Sequence, residues 1–287
     1  MADIQWFPGH MARAKRILQE DLKLVDAVIE VVDARIPSSS RNPMLGKMLG
    51  AKPLILVLNK SDLADPGITA RWERHFRERG IETISVDSVK GSGVAGVPSM
   101  VKKAAGKKAV IPGTGGRLSR PPRCMVAGIP NVGKSLFINR LVGRRAAKTE
   151  NRPGVTRGRQ WIRVAEIDLL DTPGILWPKF DDPEVGYRLA VTGAIRDQVF
   201  DVEEVAGRLS VWLAENFPGS FAERYRIEVR GRPDPWELLA QIGKARGLVQ
   251  HGGKVDTGKA SILLLKEFRA GLLGRFTLDA PEEAGRT

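Results

Sequence analysis

Asn59-Lys60-Ser61-Asp62 precedes Gly128-Ile-Pro-Asn-Val-Gly-Lys-Ser135 in this chain, and that order constrains the fold more than any other feature. The second string is a phosphate-cradling loop when it follows a strand and opens a helix. It does both here, because Cys124–Gly128 is an apolar run and Lys134–Leu141 reads as a helix. The backbone N–H groups of Asn131, Val132 and Gly133 would hold phosphate oxygens at the helix amino terminus. Lys134 would reach the β and γ oxygens, and the Ser135 hydroxyl would bind Mg²⁺. The first string also closes an apolar strand. There the Asp62 carboxylate can accept two hydrogen bonds from guanine, a contact that adenine cannot make. Asn59 would tie the base loop to the phosphate loop, and the Lys60 stem would cover the base. In an ordinary small GTPase the base loop comes second, so this order predicts a circularly permuted nucleotide-binding domain.

Three weaker patterns gain meaning from position. Asp171-Thr-Pro-Gly174 follows the second apolar strand of the later half, where Asp171 can hold a Mg²⁺-bound water and the Gly174 N–H can meet the γ-phosphate. Thr156, between the phosphate loop and Asp171, can offer a hydroxyl to Mg²⁺ from a loop. Ser85-Val-Asp-Ser88 ends a third strand of the early half. It reads either as a degenerate second base-contacting loop through Ser85 or as a plain strand-end turn.

Asp26–Asp33 and Pro53–Leu58 are the β-branched runs of buried parallel strands, with helices expected over Ser38–Leu49 and Thr69–Arg79 and a strand over Thr83–Val86. This alternation predicts an α/β, doubly wound, mostly parallel sheet. A helix over Val97–Ala105 and a glycine-rich linker to Gly116 join the permuted halves. One or two strands over Gln160–Leu170 complete the sheet. From Pro183 the pattern is helical, clearest over Val202–Asn216, Pro235–Arg246 and Gly258–Ala270. The expected division is therefore a nucleotide-binding domain over 1–178 and a small helical domain over 179–287.

The net charge of +13 is unevenly distributed. Residues 1–178 hold 30 Lys+Arg against 16 Asp+Glu, and residues 179–287 hold 16 against 17. Between Lys102 and Arg163, 16 basic residues face one acid, Glu150. Such a stretch attracts a polyanion, RNA foremost. The single cysteine, Cys124, cannot build a disulfide or a cysteine-based zinc site. The first residues, Met-Ala-Asp-Ile-Gln-Trp, lack the basic start and apolar run of a signal peptide, and no apolar run is long enough to span a membrane. A soluble, cytoplasmic protein is expected, with no membrane and no zinc.

The order Asn-Lys-x-Asp, Ser-Val-Asp-Ser, phosphate loop, Thr, Asp-x-x-Gly resembles the circularly permuted GTPases of ribosome assembly. The opening Trp6-Phe7-Pro8-Gly9-His10-Met11 and the closing Phe268-Arg…Leu273-Gly-Arg-Phe-Thr-Leu278 are similar to those of the ribosome biogenesis GTPase A (YlqF) family. The resemblance implies a GTPase that binds the maturing large ribosomal subunit and its rRNA and leaves after hydrolysis. It also places RNA contacts in the carboxy-terminal helices, where Lys244, Arg246, Lys254 and Lys259 form a basic strip. Ile175 stands where many small GTPases have a water-orienting glutamine, so slow intrinsic turnover is expected, with the missing group supplied by another segment or by the partner. The resemblance puts His10 near the nucleotide, as acceptor for the attacking water. The alternative is that His10 belongs to a packing turn. Asn131 resembles the residue of GTPases that use K⁺ beside the transferred charge. A second functional reading stays open, an RNA-binding assembly factor whose nucleotide site is mainly structural.

Overall fold

The computed structural model describes residues 16–106, 120–143, 161–171, 182–229, 231 and 234–281, with Asp171 described by its backbone alone. They fall into two compact units, one of residues 16–171 and 277–281, the other of residues 182–276.

The first unit is built on β1 (Ala27–Asp33), whose seven residues are all buried. An unbroken apolar run covered on both faces is the signature of a central parallel strand. It pairs in parallel with β2 (Leu54–Asn59) on one side and β4 (Arg123–Ala127) on the other. β3 (Glu82–Val86) extends the sheet beyond β2, and β6 (Ile167–Asp171) extends it beyond β4. β5 (Trp161–Val164) adds the antiparallel edge, giving the order β3-β2-β1-β4-β6-β5. The chain thus winds outward from β1 through β2 to β3 on one side, and on the other passes from β4 to the β5 edge and back to β6. The crevice where those directions diverge lies between β1 and β4, the usual ligand position in an open α/β sheet.

The helices of this unit are α1 (described over 16–22), α2 (Pro43–Met48), α3 (Pro66–Glu78), α4 (Val97–Gly106) and α5 (Lys134–Val142). α2 and α3 start with an Asn or Asp cap followed by proline. The Asn42 side chain accepts from the Met44 N–H and the Asp65 side chain from the Ile68 N–H. Each cap satisfies an orphan donor, and proline costs nothing at the first helical position. The amino ends fall later than the Ser38 and earlier than the Thr69 expected from periodicity, because the caps decide them. Leu18, Leu22, Val28, Leu45 and Met125 form one apolar cluster, while Val32, Leu56, Leu58, Trp72 and Phe76 form another.

Glu30 breaks the apolar pattern of β1. It is fully buried, accepting from the Asn42 N–H at 2.8 Å and from Arg41 Nε at 3.1 Å. Burial raises its pKa, opposed by Arg41 and the Asn42 N–H. The pair fixes the loop from β1 into α2.

The second unit comprises α6 (Pro183–Thr192), α7 (Val202–Asn216), α8 (Pro218–Tyr225), α9 (Pro235–Ala245) and α10 (Thr257–Arg269). α7, α9 and α10 pack on one another, with α6 against α10 and α8 against α7. The expected helical region 179–287 runs past this unit at its carboxy-terminal end. Residues 277–281 pack with the first unit instead, held by polar contacts that leave no periodic signature. Among the described residues, no helix is long and apolar enough to cross a membrane.

Gly243 on α9 shows how closely these helices approach. A Cβ there would overlap Val255 and lie 3.4 Å from the Ala260 Cβ. Gly243→Val should therefore destabilise the chain by about 1–3 kcal/mol, the usual cost of overpacking, measured as a lower midpoint in urea unfolding.

Candidate functional site

Among the described residues, those singled out in the base and phosphate loops lie at the carboxyl ends of the parallel strands. Asp33 pairs with Asn59 across β1 and β2, Asn59 with Val86 across β2 and β3, and Val126 with Asp171 across β4 and β6. The base loop follows β2, and the phosphate loop joins β4 to α5. Strand pairing alone thus brings the two motifs to one edge of the sheet.

Side chains of the base loop then lock the two loops together. Asn59 Nδ2 donates to the Val132 carbonyl at 2.8 Å, and Lys60 Nζ donates to the Asn131 carbonyl at 2.7 Å. Lys60 and Asn131 both adopt left-handed backbone conformations, φ 60° and 62°, rare for residues with a side chain. Strain of that kind collects at ligand sites. Among the described residues, no hydrogen bond or ion pair engages the half-buried Asp62 carboxylate.

Two glycines of the phosphate loop are required by their surroundings. A Cβ on Gly128 would stand 2.6 Å from the Val31 carbonyl of β1. Gly133 has φ 88°, and its Cβ would strike the Asn59 side-chain amide. The loop is therefore shaped against the early half of the chain. Lys134 opens α5 and Ser135 follows it, exposed at the helix amino terminus. An exposed hydroxyl there, over a glycine-lined backbone cradle, fits a phosphate-bound Mg²⁺. Of the other expected Mg²⁺ residues, Thr156 and the Asp171 side chain lie outside the described residues. So do His10, Gly174 and Ile175.

The Ser85–Ser88 segment divides its work differently from the expectation. Ser85 lies within β3, and its N–H and hydroxyl both donate to Glu73 of α3, at 2.8 and 2.6 Å. Ser88, past the strand end, donates to Asn59 Oδ1 at 2.7 Å. Asn59 is thus gripped at both ends of its amide. Arg140 of α5 caps the same segment, donating to the Ser88 carbonyl at 3.1 Å.

Asp33 and Arg35 were not legible as site residues. Both side chains are buried, and Arg35 Nε and Nη2 grip the Asp33 carboxylate at 2.9 and 2.7 Å. Lys60 Nζ joins from the other side, 2.9 Å from Asp33 Oδ2. Burial alone would raise the Asp33 pKa, but Arg35 and Lys60 outweigh it and hold the carboxyl well below the usual carboxylate range. Asp33 therefore anchors the ammonium that bonds the phosphate loop. The signal was a charged Asp-Ala-Arg at the end of an apolar strand, which reads as an ordinary turn.

The basic strip of the helical unit is only partly available to a partner. Arg246 lies 5.3 Å over the Tyr225 ring and donates to the Arg224 carbonyl at 3.2 Å, and Lys259 pairs with Asp256 at 3.1 Å.

A family profile described as a 50S ribosome-binding GTPase matches residues 123–211, from β4 onward and without the base loop. Ribosome biogenesis GTPase A of Priestia megaterium is 47% identical over 283 residues, covering 98% of each chain. Mitochondrial ribosome-associated GTPase 1 of mouse is 35% identical, covering 96% of this chain and 90% of its own. Among solved structures, GNP-bound YlqF from Thermotoga maritima superposes with a TM-score of 0.66 at 27% identity, covering 94% of this chain and 99% of that one.

Replacing Asp33 with Asn leaves the Arg35 guanidinium buried without its full countercharge. A loss of about 3–5 kcal/mol is expected at neutral pH, read by urea unfolding. The folded pKa is depressed, so the Asp33 contribution is complete above the unfolded value of about 4 and fades as pH falls below it. The deficit of Asp33→Asn should therefore shrink on acidification below about pH 4.

Proposed function

Because this chain belongs to the ribosome biogenesis GTPase A family, we propose that its GTPase cycle runs on the maturing large ribosomal subunit, with GTP favouring binding and hydrolysis releasing the protein. The observation that carries this reading is the joining of a guanine-reading loop to a phosphate loop through Asn59 and Lys60. A carboxylate held beside a phosphate cradle selects guanine nucleotides, and the shared hydrogen bonds make base and phosphate recognition one unit.

In this reading Asp62 reads the base, with Asn59, Lys60 and Ser88 holding its loop. The backbone of Asn131, Val132 and Gly133 receives the phosphates, and Lys134 meets the β and γ oxygens. Ser135 and Thr156 would hold Mg²⁺, with Asp171 holding it through water. When bound, Mg²⁺ neutralises charge on the phosphates. The Gly174 N–H senses the γ-phosphate. Ile175 cannot orient water, so intrinsic turnover is slow, and His10 supplies the accepting group once the subunit orders the site. Asn131 favours a K⁺ ion near the transferred charge. The basic Lys102–Arg163 stretch, with Lys244 and Lys254 of the helical unit, faces rRNA. The nucleotide-binding domain spans 1–178 and takes in 277–281, and the helical domain that follows Gly174 responds to its state.

Co-sedimentation with large subunits tests the switch. Binding should be at least tenfold tighter with a non-hydrolysable GTP analogue than with GDP, and subunits should raise GTP turnover. His10→Ala should lose that stimulation while retaining subunit binding. Equal binding in both nucleotide states, without stimulation, would favour an RNA-binding factor with a structural nucleotide site. Cation dependence gives a separate check: turnover should be several-fold faster in K⁺ than in Na⁺ at equal ionic strength, and equal rates would remove K⁺ from the mechanism.

A further inference from the structure

We propose that Thr277–Asp279 is a carboxy-terminal clasp that holds the guanine-reading loop in its binding geometry, with Thr277 and Asp279 as positioning residues for nucleotide affinity. This segment follows the helical unit in sequence but packs with the nucleotide-binding unit. Four hydrogen bonds fix it there. The Leu278 N–H donates to the Arg35 carbonyl at 2.8 Å. Asp279 Oδ2 accepts from the Ser39 N–H at 2.9 Å, and its carbonyl accepts from Trp72 Nε1 at 3.0 Å. Thr277 Oγ1 accepts from the Asp65 N–H at 3.1 Å. Thr277 and Asp279 are 7% and 5% exposed, so these bonds are made largely out of water.

The partners bracket the base loop on both sides. Before it, Arg35 grips Asp33, Asp33 holds the Lys60 ammonium, and Lys60 bonds the phosphate loop at Asn131. After it, Asp65 lies three residues beyond Asp62 and caps α3 through the Ile68 N–H. Trp72 on the same helix is buried in the apolar cluster beneath. The clasp therefore pins the loop's incoming support at Arg35 and its outgoing support at Asp65. The clasp's own four bonds end on Arg35, Ser39, Asp65 and Trp72, beside the base loop, so the clasp governs how firmly the base is held and leaves the chemical step alone. Buried hydrogen bonds suit this task, since a donor left unsatisfied costs more than the bond contributes.

The inference rests on guanine nucleotide occupying the site, which the unsubstituted chain's own binding of a fluorescent N-methylanthraniloyl GDP reads separately. In the full chain, Thr277→Val removes the acceptor for the Asp65 N–H at nearly constant volume, and Asp279→Ala removes the acceptor for the Ser39 N–H. Each should speed release of the fluorescent GDP by about three- to tenfold, the effect of one lost buried hydrogen bond, with the single-turnover hydrolysis rate at saturating GTP unchanged. Thr277→Ser and Asp279→Asn keep an acceptor and should release GDP at the unsubstituted rate. A purely structural segment would lower the thermal midpoint in Thr277→Val and Asp279→Ala without moving GDP release, and that result would overturn the clasp. Failure of the unsubstituted chain to bind the fluorescent GDP would overturn both the clasp and the reading beneath it.

Discussion

Everything the site can do depends on two side chains reaching across a long stretch of sequence to carbonyls of the phosphate loop. Asn59 and Lys60 donate to Val132 and Asn131 at 2.8 and 2.7 Å, over separations of 73 and 71 residues. In a permuted domain the base-reading half and the phosphate half are connected in reverse, so covalent continuity no longer sets their spacing. Sheet pairing of β1 with β4 brings the halves together. Strand pairing leaves loop conformation open, and the side-chain bonds close that gap. Their geometry explains why Gly133 tolerates no side chain: the space a Cβ would fill is taken by Asn59.

The supports for those two residues differ in kind. Asn59 is held by a neutral hydrogen bond from Ser88, whereas Lys60 is held by the buried Asp33 carboxylate. A buried carboxylate between two cations is costly to assemble and costly to break. Its benefit here is geometric, because an ammonium with a fixed countercharge has little freedom to leave the phosphate loop. The positive φ of Lys60 places its stem in that position at some conformational cost.

Much of this was legible from the chain alone. The strands announced themselves as apolar runs ending in polar loops, and the phosphate and base motifs sat at strand ends as expected. The helix starts of α3 and α9 were set by Asp-Pro pairs, a local rule. What escaped was long-range and polar. Ser85 and Ser88 are three residues apart in one candidate loop, and only the end of β3 decides which of them reaches Asn59. Arg35 reads as a surface turn residue, because nothing local says that its guanidinium is enclosed. The docking of Asp279 on Ser39 joins residues 240 apart and has no periodicity to betray it. Charge counting met the same limit. Arg246 belonged to a plausible basic strip, yet the Tyr225 ring and the Arg224 carbonyl already occupy its guanidinium.

Permutation also changes what the helical unit is attached to. In the ordinary order the strand carrying Asp171 would lead back into the sheet. Here that strand is the last of the sheet to be traced, and the chain leaving it runs into α6. The helical unit then returns the chain to the base-reading edge at Thr277. Both of its covalent connections therefore lead to elements that carry candidate site residues, one to the strand of Asp171 and one beside the loop of Asp62. Where the helical unit is joined to the chain thus follows from motif order, because placing the base-reading half first makes β6 the last strand before α6.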